Sequence, residues 1–331
     1  MGLFAFGYRA IDPAVRPSRM PKMKLVRRLI FFLPLCLITA AQAQELCAPV
    51  PLASLSMKNE IGNTVSVPMA INGAQAQMLV DTGGTKTNIT AAFARKMGLE
   101  ARPARTKWEY ANKIRLTQET VINSIALGAM TSQDRHAVML IPEPFFMAGI
   151  DGTLAPDQMR NYDVEFDFRA AKLNLFSPET CTGNKVYWTH DGHAEVPMET
   201  DSLGRILVPA LLDGKEVQIL IDTGAAFSMT SVESMSDLFA WDDDNPPYQK
   251  LTDSPINGGD PTPVYFHPFT RLEFEGISVA NPKIILVSKD RLKLGGWGRP
   301  KIIIGVGVLR SLRIYIAYKE KKLYLTYADA H

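Results

Sequence analysis

The sequence predicts a mostly β protein made of two similar lobes with short helices, and two alignments within the chain carry that prediction. The stretches VPMAINGAQAQMLVDTG and VPALLDGKEVQILIDTG align without a gap, and in each an apolar strand runs directly into Asp-Thr-Gly. Residues 153–176 also align without a gap on residues 303–326. Because both the early and the late parts repeat, the sequence contains an internal duplication that spans whole lobes.

The composition is that of an ordinary globular protein. With 331 residues, 46% of them apolar and 21% charged, the chain is long enough for two domains with a core each. The formal net charge is +2, and no long basic run occurs outside the extreme N-terminus. Charge therefore gives no reason to expect a nucleic acid partner.

Residues 1–43 have the pattern of a secretory signal peptide. Basic residues precede a short apolar run at 29–38, and Ala-Gln-Ala at 41–43 forms a small-residue cleavage site. A start at Met20 or Met23 would give this signal a more usual basic beginning, and residues 1–19 are then either an over-extended reading of the gene or a long basic region. The alternative is an uncleaved membrane anchor, for which the apolar run is short beside the ~20 residues of a membrane span. We expect export to the periplasm or secretion from the cell.

Removal of the signal takes Cys36 with it and leaves Cys47 and Cys181. Two cysteines in an oxidising compartment are expected to pair, and this disulfide would tie the N-terminal tail, 44–53, to the start of the connector between the lobes. The alternative is a pair of unlinked thiols. A zinc site is not expected, because two cysteines lack suitably spaced partner ligands.

Each lobe is predicted to begin with a hairpin whose second strand delivers the Asp of the triplet to a turn. The first lobe, 54–178, turns at Asn72-Gly73, and the second, 195–331, turns at Asp213-Gly214, both strong hairpin signals. Short helices are expected after each triplet, the first ending at Gly98. Residues 179–194 are predicted to form a polar connector between the lobes.

The paired motifs resemble those of the pepsin and retropepsin-like aspartic proteases, particularly exported bacterial forms with two retropepsin-like lobes in one chain. The resemblance rests on both apolar-apolar-Asp-Thr-Gly arms and on the later apolar-apolar-Gly of Ile303-Ile304-Gly305, and it covers about residues 54–328. It implies a bilobal, mostly β fold in which each lobe contributes one Asp to a central catalytic cleft. It also implies activity as a monomer, because one chain supplies both half-sites.

Asp81 and Asp222 are the expected catalytic pair of an aspartic endopeptidase. Two carboxyl groups at hydrogen-bond distance cannot both ionise easily, so they share a proton. One can then activate water as a base while the other polarises the peptide carbonyl as an acid. This chemistry needs a peptide or protein substrate but neither a metal nor a cofactor. The supporting residues are Thr82 and Thr223, which by resemblance cross-link the two loops, and Gly83 and Gly224, which let the backbone approach the pair.

Two features depart from the family pattern or are hard to place. Ala155 stands in the first lobe where the second has Gly305. Flaps over the cleft are expected at Gly258-Gly259 in the second lobe and near Trp108 or Tyr110 in the first. For the two aromatic residues the alternative is ordinary packing.

The residues after the triplets predict the pH dependence. Pepsin-like members usually carry Ser or Thr there, whereas this chain has Gly84 and Ala225. The loss of hydroxyl donors to a carboxylate raises its pKa, so we expect a mildly acidic optimum. The hydroxyls of Thr85 and Ser228 could restore such a donor.

Three alternatives remain open from the sequence. The first motif, LVDTGGTKT, also resembles the phosphate-binding turn of sugar kinases, although its second copy departs from that pattern and an exported protein would lack ATP as a substrate. A noncatalytic peptide-binding protein on the same scaffold is the second, since fold does not imply function. Third, His190 and His193 could bind a metal with Asp191, or they could be solvated connector residues.

Overall fold

The fold was established from a computed structural model, which describes residues 49–109, 115–142, 149–181, 185–190, 192–254, 261–292 and 301–329. The predicted signal peptide therefore lies outside the described residues, as does Cys47, and the disulfide to Cys181 stays a prediction. Within the described ranges, no helix is long and apolar enough to cross a membrane.

The first lobe has a mixed β-sheet, with both antiparallel and parallel strand pairs, and two short helices. Its helices are α1 (Ala91–Lys96) and α2 (Pro156–Met159), with a 3₁₀ turn at Ile61–Asn63. Its strands are β1 (Ala53–Ser56), β2 (Lys58–Asn59), β3 (Val65–Ile71), β4 (Ala74–Val80), β5 (Asn88–Thr90), β6 (Arg102–Glu109), β7 (Arg115–Ile122), β8 (Ile125–Leu127), β9 (Met130–Ser132), β10 (His136–Ile141), β11 (Gly152–Leu154), β12 (Asp163–Asp167) and β13 (Lys172–Phe176).

The second lobe repeats these elements in the same order. Its helices are α3 (Val232–Phe239), α4 (Lys289–Leu292) and α5 (Val306–Leu309). Its strands are β14 (Ala194–Pro197), β15 (Glu199–Thr200), β16 (Ile206–Leu212), β17 (Lys215–Ile221), β18 (Ser228–Ser231), β19 (Gln249–Ser254), β20 (Thr262–Phe266), β21 (Arg271–Phe274), β22 (Ile277–Ala280), β23 (Ile284–Val287), β24 (Lys301–Ile304), β25 (Leu312–Ala317) and β26 (Lys322–Tyr327).

Each lobe has its own sheet, and the two sheets have the same strand order. The first runs β6-β7-β10-β5-β11-β4-β3-β8-β9, with β2 paired to β3, and the second runs β19-β20-β23-β18-β24-β17-β16-β21-β22, with β15 paired to β16. The predicted mostly β fold with two similar lobes is therefore confirmed.

Local sequence explains the hairpins that open each lobe. Asn72 and Gly73 have φ of 49° and 80°, and Asp213 and Gly214 have φ of 46° and 79°. Two successive residues with positive φ form the type I′ turn, whose twist matches that of the flanking strands. The turns pair Ile71 with Ala74 in the first lobe, and the equivalent residues of the second. Both predicted hairpins are confirmed.

The helices after the triplets begin at capping hydroxyls. The Thr90 side chain accepts a hydrogen bond from the N–H of Phe93, and Ser231 does the same for Ser234 at the start of α3. A Ser or Thr at this position satisfies one of the backbone donors that a helix leaves unpaired at its N-terminus. Gly98, with φ of 64°, follows the end of α1 as predicted.

A third sheet joins the lobes. Its order is β1-β13-β12-β25-β26-β14, so three strands come from each lobe. At its centre β12 and β25 run antiparallel, with Glu165 opposite Tyr315. The aligned segments 153–176 and 303–326 each end in a hairpin, β12–β13 and β25–β26, and the sequence did not indicate that these hairpins pair with each other.

The connector is held on this shared sheet by a buried ion pair and by aromatic packing. Lys185, which is fully buried, places its Nζ 2.7 Å from Oδ2 of Asp163 on β12. The indole N–H of Trp188 donates to Oγ1 of Thr326 on β26 at 3.0 Å. This part of the connector therefore packs against the sheet, in contrast to the polar link that its composition suggested.

Candidate active site

The two Asp-Thr-Gly turns are held at equivalent places by their own lobes. The N–H of Asp81 donates to the carbonyl of Leu154 at 3.0 Å, and the N–H of Asp222 donates to the carbonyl of Ile304 at 3.0 Å. In each lobe the strand that precedes the Asp lies parallel to the strand that supplies this carbonyl, β4 with β11 and β17 with β24. The duplication thus presents each carboxyl at the same end of the same pair of strands.

The loops are cross-linked through their threonines. The Thr82 hydroxyl donates to the carbonyl of Ile221 at 2.8 Å, and the Thr223 hydroxyl donates to the carbonyl of Val80 at 2.8 Å. Each hydroxyl oxygen also accepts from the backbone N–H of the other threonine, at 3.0 and 3.1 Å. Both threonines are buried. Four hydrogen bonds therefore link the two turns.

The structure brings the Asp81 and Asp222 carboxyls together, each against a glycine of the other lobe. A methyl group at Gly83 would overlap the Asp222 carboxyl, and one at Gly224 would lie 2.6 Å from Oδ1 of Asp81. Any side chain at either glycine would therefore displace the pair. Both Asp residues are partly exposed.

Burial and mutual repulsion act on the pair. Burial raises the pKa of Asp81 well above its usual value, and the negative charge of Asp222 raises it further. Burial also raises the pKa of Asp222, although hydrogen bonds from Asp81 and from the N–H groups of Gly224 and Ala225 oppose this rise. The positive charge of Arg205 also lowers the pKa of Asp222. The pair is therefore biased towards holding a proton.

Hydroxyl side chains behind the loops fix the next layer of the site. The Thr87 oxygen accepts from the N–H of Ala155 at 3.0 Å, and the Ser228 oxygen accepts from the N–H of Gly305 at 3.2 Å. The sequence suggested Ser228 as a donor to the dyad but missed this contact. A hydroxyl at the same position of both repeats was the signal that could have revealed it.

Ala155 and Gly305 occupy equivalent places at the start of α2 and α5. Ala155 is completely buried without any distortion of this arrangement. A methyl group at Gly305, by contrast, would lie 2.5 Å from the carbonyl oxygen of Ala225 and 2.7 Å from that of Phe227. The alanine is therefore compatible with the first lobe, whereas the second lobe requires the glycine.

Several predicted residues are only partly placed. Tyr110, Gly258 and Gly259 lie outside the described residues, and of Trp108 the structure places the backbone, in β6 opposite Leu116. The hairpins that lead to both flap candidates, β6–β7 and β19–β20, occupy the same position in the two sheet orders. The flap assignments therefore stay predictions.

The connector histidines lie at the surface. His190 and His193 are exposed, and Nε2 of His193 lies 3.4 Å from a carboxyl oxygen of Glu195. Asp191 lies outside the described residues. Among the residues that are described, no three His, Cys, Asp or Glu side chains are grouped to hold a metal ion.

Residues 67–148 match the family described as "gag-polyprotein putative aspartyl protease". The matched segment contains the first triplet and most of the first sheet. For this part of the chain, the match supports a relationship to aspartic proteases, which are peptidases. No curated protein matches the chain at a significant level. The second lobe, outside the match, has the same strand order and the same triplet.

Proposed function

We propose that the protein is an aspartic endopeptidase in which Asp81 and Asp222 form one catalytic unit. The observation that carries the proposal is that the reciprocal hydrogen bonds of Thr82 and Thr223 link the two Asp-Thr-Gly turns. This link holds the two carboxyls side by side. Rigid support of this kind keeps catalytic groups in a productive geometry without reorganisation during the reaction.

The electrostatics support a division of roles. Burial raises the pKa of both carboxyls, and each carboxyl accepts two backbone hydrogen bonds, but the positive charge of Arg205 favours ionisation of Asp222 in particular. Asp81 therefore holds the shared proton and acts as the acid, and ionised Asp222 acts as the base.

Hydrolysis then proceeds by proton transfers. Asp222 takes a proton from water as the water oxygen bonds to the peptide carbonyl carbon, and Asp81 donates its proton to the carbonyl oxygen. Collapse of the tetrahedral diol breaks the C–N bond: the departing nitrogen takes the proton held by Asp222, and a diol hydroxyl returns its proton to Asp81 as the carboxylic acid product forms. The dyad returns to its starting charge, so no covalent enzyme intermediate is needed.

The proposal includes the state and place of action. One chain supplies both carboxyls, so the active species is a monomer, and residues 1–43 direct it to the periplasm or outside the cell. Activity should co-elute with the monomer on size exclusion chromatography, and mass spectrometry of exported protein should find an N-terminus near residue 44. Activity confined to a dimer, or an intact signal, would contradict these points.

The test of catalysis is digestion of a mixed peptide pool by the full protein, with cut sites determined by mass spectrometry. Asp81→Asn and Asp222→Asn should each abolish most turnover, because either change removes the shared proton or the base. Asp244→Asn, at an exposed carboxyl away from the site, is the matched control. Near wild-type cleavage by either dyad variant would sink the proposal, and selective peptide binding without cleavage by the wild type would favour the noncatalytic alternative.

A further inference from the structure

A cavity of about 390 Å³ opens in the first lobe beside the loop that follows Asp81. One wall is Lys86 and Thr87 of that loop, and the others come from β6, β7, β10 and α2. The cavity thus lies between the base of the predicted flap hairpin and the loop that follows Asp81. The side chains used below are those of Lys86, Thr87, Arg105, Glu119, His136 and Asp157.

The two carboxylates of the cavity are already engaged by groups of the protein. Glu119, which is buried, accepts from Nε of Arg102 at 3.0 Å and lies 2.8 Å from its Nη2. Asp157 accepts from the N–H and the hydroxyl of Thr87 at 2.9 and 2.7 Å. Their negative charges are therefore directed at the protein's own donors.

Two cations, Lys86 and Arg105, and the two carboxylates line the cavity. Because both carboxylates are engaged by Arg102 and Thr87, the exposed guanidinium of Arg105 is the charge that the cavity offers to a ligand. Guanidinium and ammonium groups at a partly enclosed surface bind carboxylates through charge-assisted hydrogen bonds.

His136 adds a polar atom that no other group uses. Its Nδ1 lies 2.8 Å from the carbonyl oxygen of Asp134, which fixes the ring, and its Nε2 is buried without a hydrogen-bond partner in the described part of the chain. A buried polar atom without a partner is costly and calls for a group that completes it. Because Nδ1 donates to the carbonyl oxygen of Asp134, Nε2 accepts in the neutral ring and donates to a carboxylate in the protonated ring.

The second lobe shows that the fold does not require this polarity. Lys86 is equivalent to Phe227 in the aligned repeats, which is 63% exposed. In the first lobe Glu119 on β7 pairs with Met139 on β10, and in the second lobe Phe266 on β20 pairs with Ile285 on β23. Phe266 therefore occupies the position equivalent to Glu119. Asp157 is equivalent to Gly307. The same elements therefore form an apolar face in one lobe and a cationic cavity in the other.

We infer that the first-lobe cavity is a substrate subsite that binds an acidic side chain, so that the protein cleaves peptides carrying Glu or Asp at one fixed position relative to the cut. The inference rests on the proposed function. Arg105 supplies the charge, and the protonated ring of His136 supplies a buried donor. The acidic side chain enters beside the loop that follows Asp81, while the chain continues towards the apolar face of the second lobe.

The first test compares two peptides that differ only by Glu or Gln at the position selected from the mixed-pool digest. The wild type should cleave the Glu peptide with a kcat/KM about tenfold higher or more, since a hydrogen bond to a charged group is worth that much. Arg105→Gln should reduce this ratio severalfold, and Arg105→Glu should turn the preference towards Lys. Arg135→Gln, an equal loss of charge at an exposed residue that does not line the cavity, should leave the ratio unchanged.

A binding measurement separates this inference from the proposed function. Fluorescence anisotropy with Asp81→Asn protein should give tighter binding of the labelled Glu peptide than of the Gln peptide, and Arg105→Gln in the same background should remove the difference. Selective binding without cleavage by the wild type would support the subsite and overturn the protease. Cleavage with equal rates for Glu and Gln, and equal effects of the Arg105 and Arg135 variants, would overturn the subsite alone.

Discussion

The hydroxyls of Thr82 and Thr223 each donate to the other lobe's backbone and each accept from the other threonine's N–H. Thr223→Val keeps the shape but leaves the carbonyl of Val80 and the N–H of Thr82 unpaired in a buried place. We expect the free energy of unfolding to fall by about 2–6 kcal/mol, since each of the two unsatisfied buried groups costs about 1–3 kcal/mol. Denaturant unfolding measures this, and activity should fall with it.

Thr223→Ser keeps the hydroxyl and is the matched control for the threonine link. Thr82→Val breaks the other two of the four hydrogen bonds, so the double variant Thr82→Val/Thr223→Val should be less stable than either single variant. Equal stability of the Val and Ser variants would contradict a role of the hydroxyls in joining the lobes.

We expect the ionisable side chain of Asp81 to lower the free energy of unfolding at neutral pH. Its folded-state pKa is raised by burial and by Asp222, so the native state holds the proton more tightly than the unfolded chain does. Stability is therefore full below the unfolded pKa of about 3.9 and falls as pH rises towards the folded pKa, by about 1.4 kcal/mol for each pH unit that separates the two pKa values. Asn at this position cannot ionise and avoids that loss.

Asp81→Asn should therefore have a higher Tm than the wild type at pH 7, and the difference should disappear below about pH 4. Thermal melts across pH measure it, with Asp244→Asn as an exposed control. An Asp81→Asn protein that is less stable than the wild type at pH 7 would show that ionised Asp81 is favoured by the fold.

The pH profile of cleavage should be bell-shaped and centred in mildly acidic conditions. Burial and charge repulsion raise the pKa values of the pair, and its backbone hydrogen bonds come from Gly83 and Gly84 on one side and Gly224 and Ala225 on the other. Ala225→Ser adds a hydroxyl donor beside the base and should move the acid limb to lower pH. A wild-type optimum below about pH 3.5, or an unmoved limb in Ala225→Ser, would contradict the proposed control.

Gly305→Ala should destabilise the second lobe and reduce activity. The new methyl would meet the carbonyl oxygens of Ala225 and Phe227, which belong to the loop that follows Asp222. Overpacking against backbone typically costs about 1–3 kcal/mol. Ala155→Gly makes the reverse change at the equivalent place and should cost less than about 1 kcal/mol. Similar losses of stability in Gly305→Ala and Ala155→Gly would contradict the conclusion that only the second lobe requires glycine at this position.

The Cys47–Cys181 disulfide remains to be tested by mass spectrometry of unreduced, exported protein. In the chain-entropy view, closing so long a loop stabilises the fold by about 4–5 kcal/mol. Two free thiols in protein from an oxidising compartment would exclude the pairing.

Local chemistry made much of the fold predictable, because its signals are contained in a few adjacent residues. Asn72-Gly73 favours a tight hairpin turn, and Thr90 favours the start of a helix, because both preferences depend on adjacent residues. The pairing of β12 with β25 has no such signal, since apolar strands can pair with many partners. The cavity was also beyond the sequence, because its charge depends on Lys86, Arg105 and His136 meeting from three separate elements.

The antiparallel pairing of β12 with β25 is the contact that two identical halves would make about a twofold axis. In an assembly of two identical chains, every substitution appears on both sides of the axis, so both ends of a bound peptide meet the same chemistry. In a single chain, a substitution changes one lobe and leaves the other unchanged. Asp157 of the first lobe is an example, because the equivalent residue of the second lobe is Gly307. On the proposed function, the two halves of the cleft are therefore free to recognise the two ends of a peptide differently.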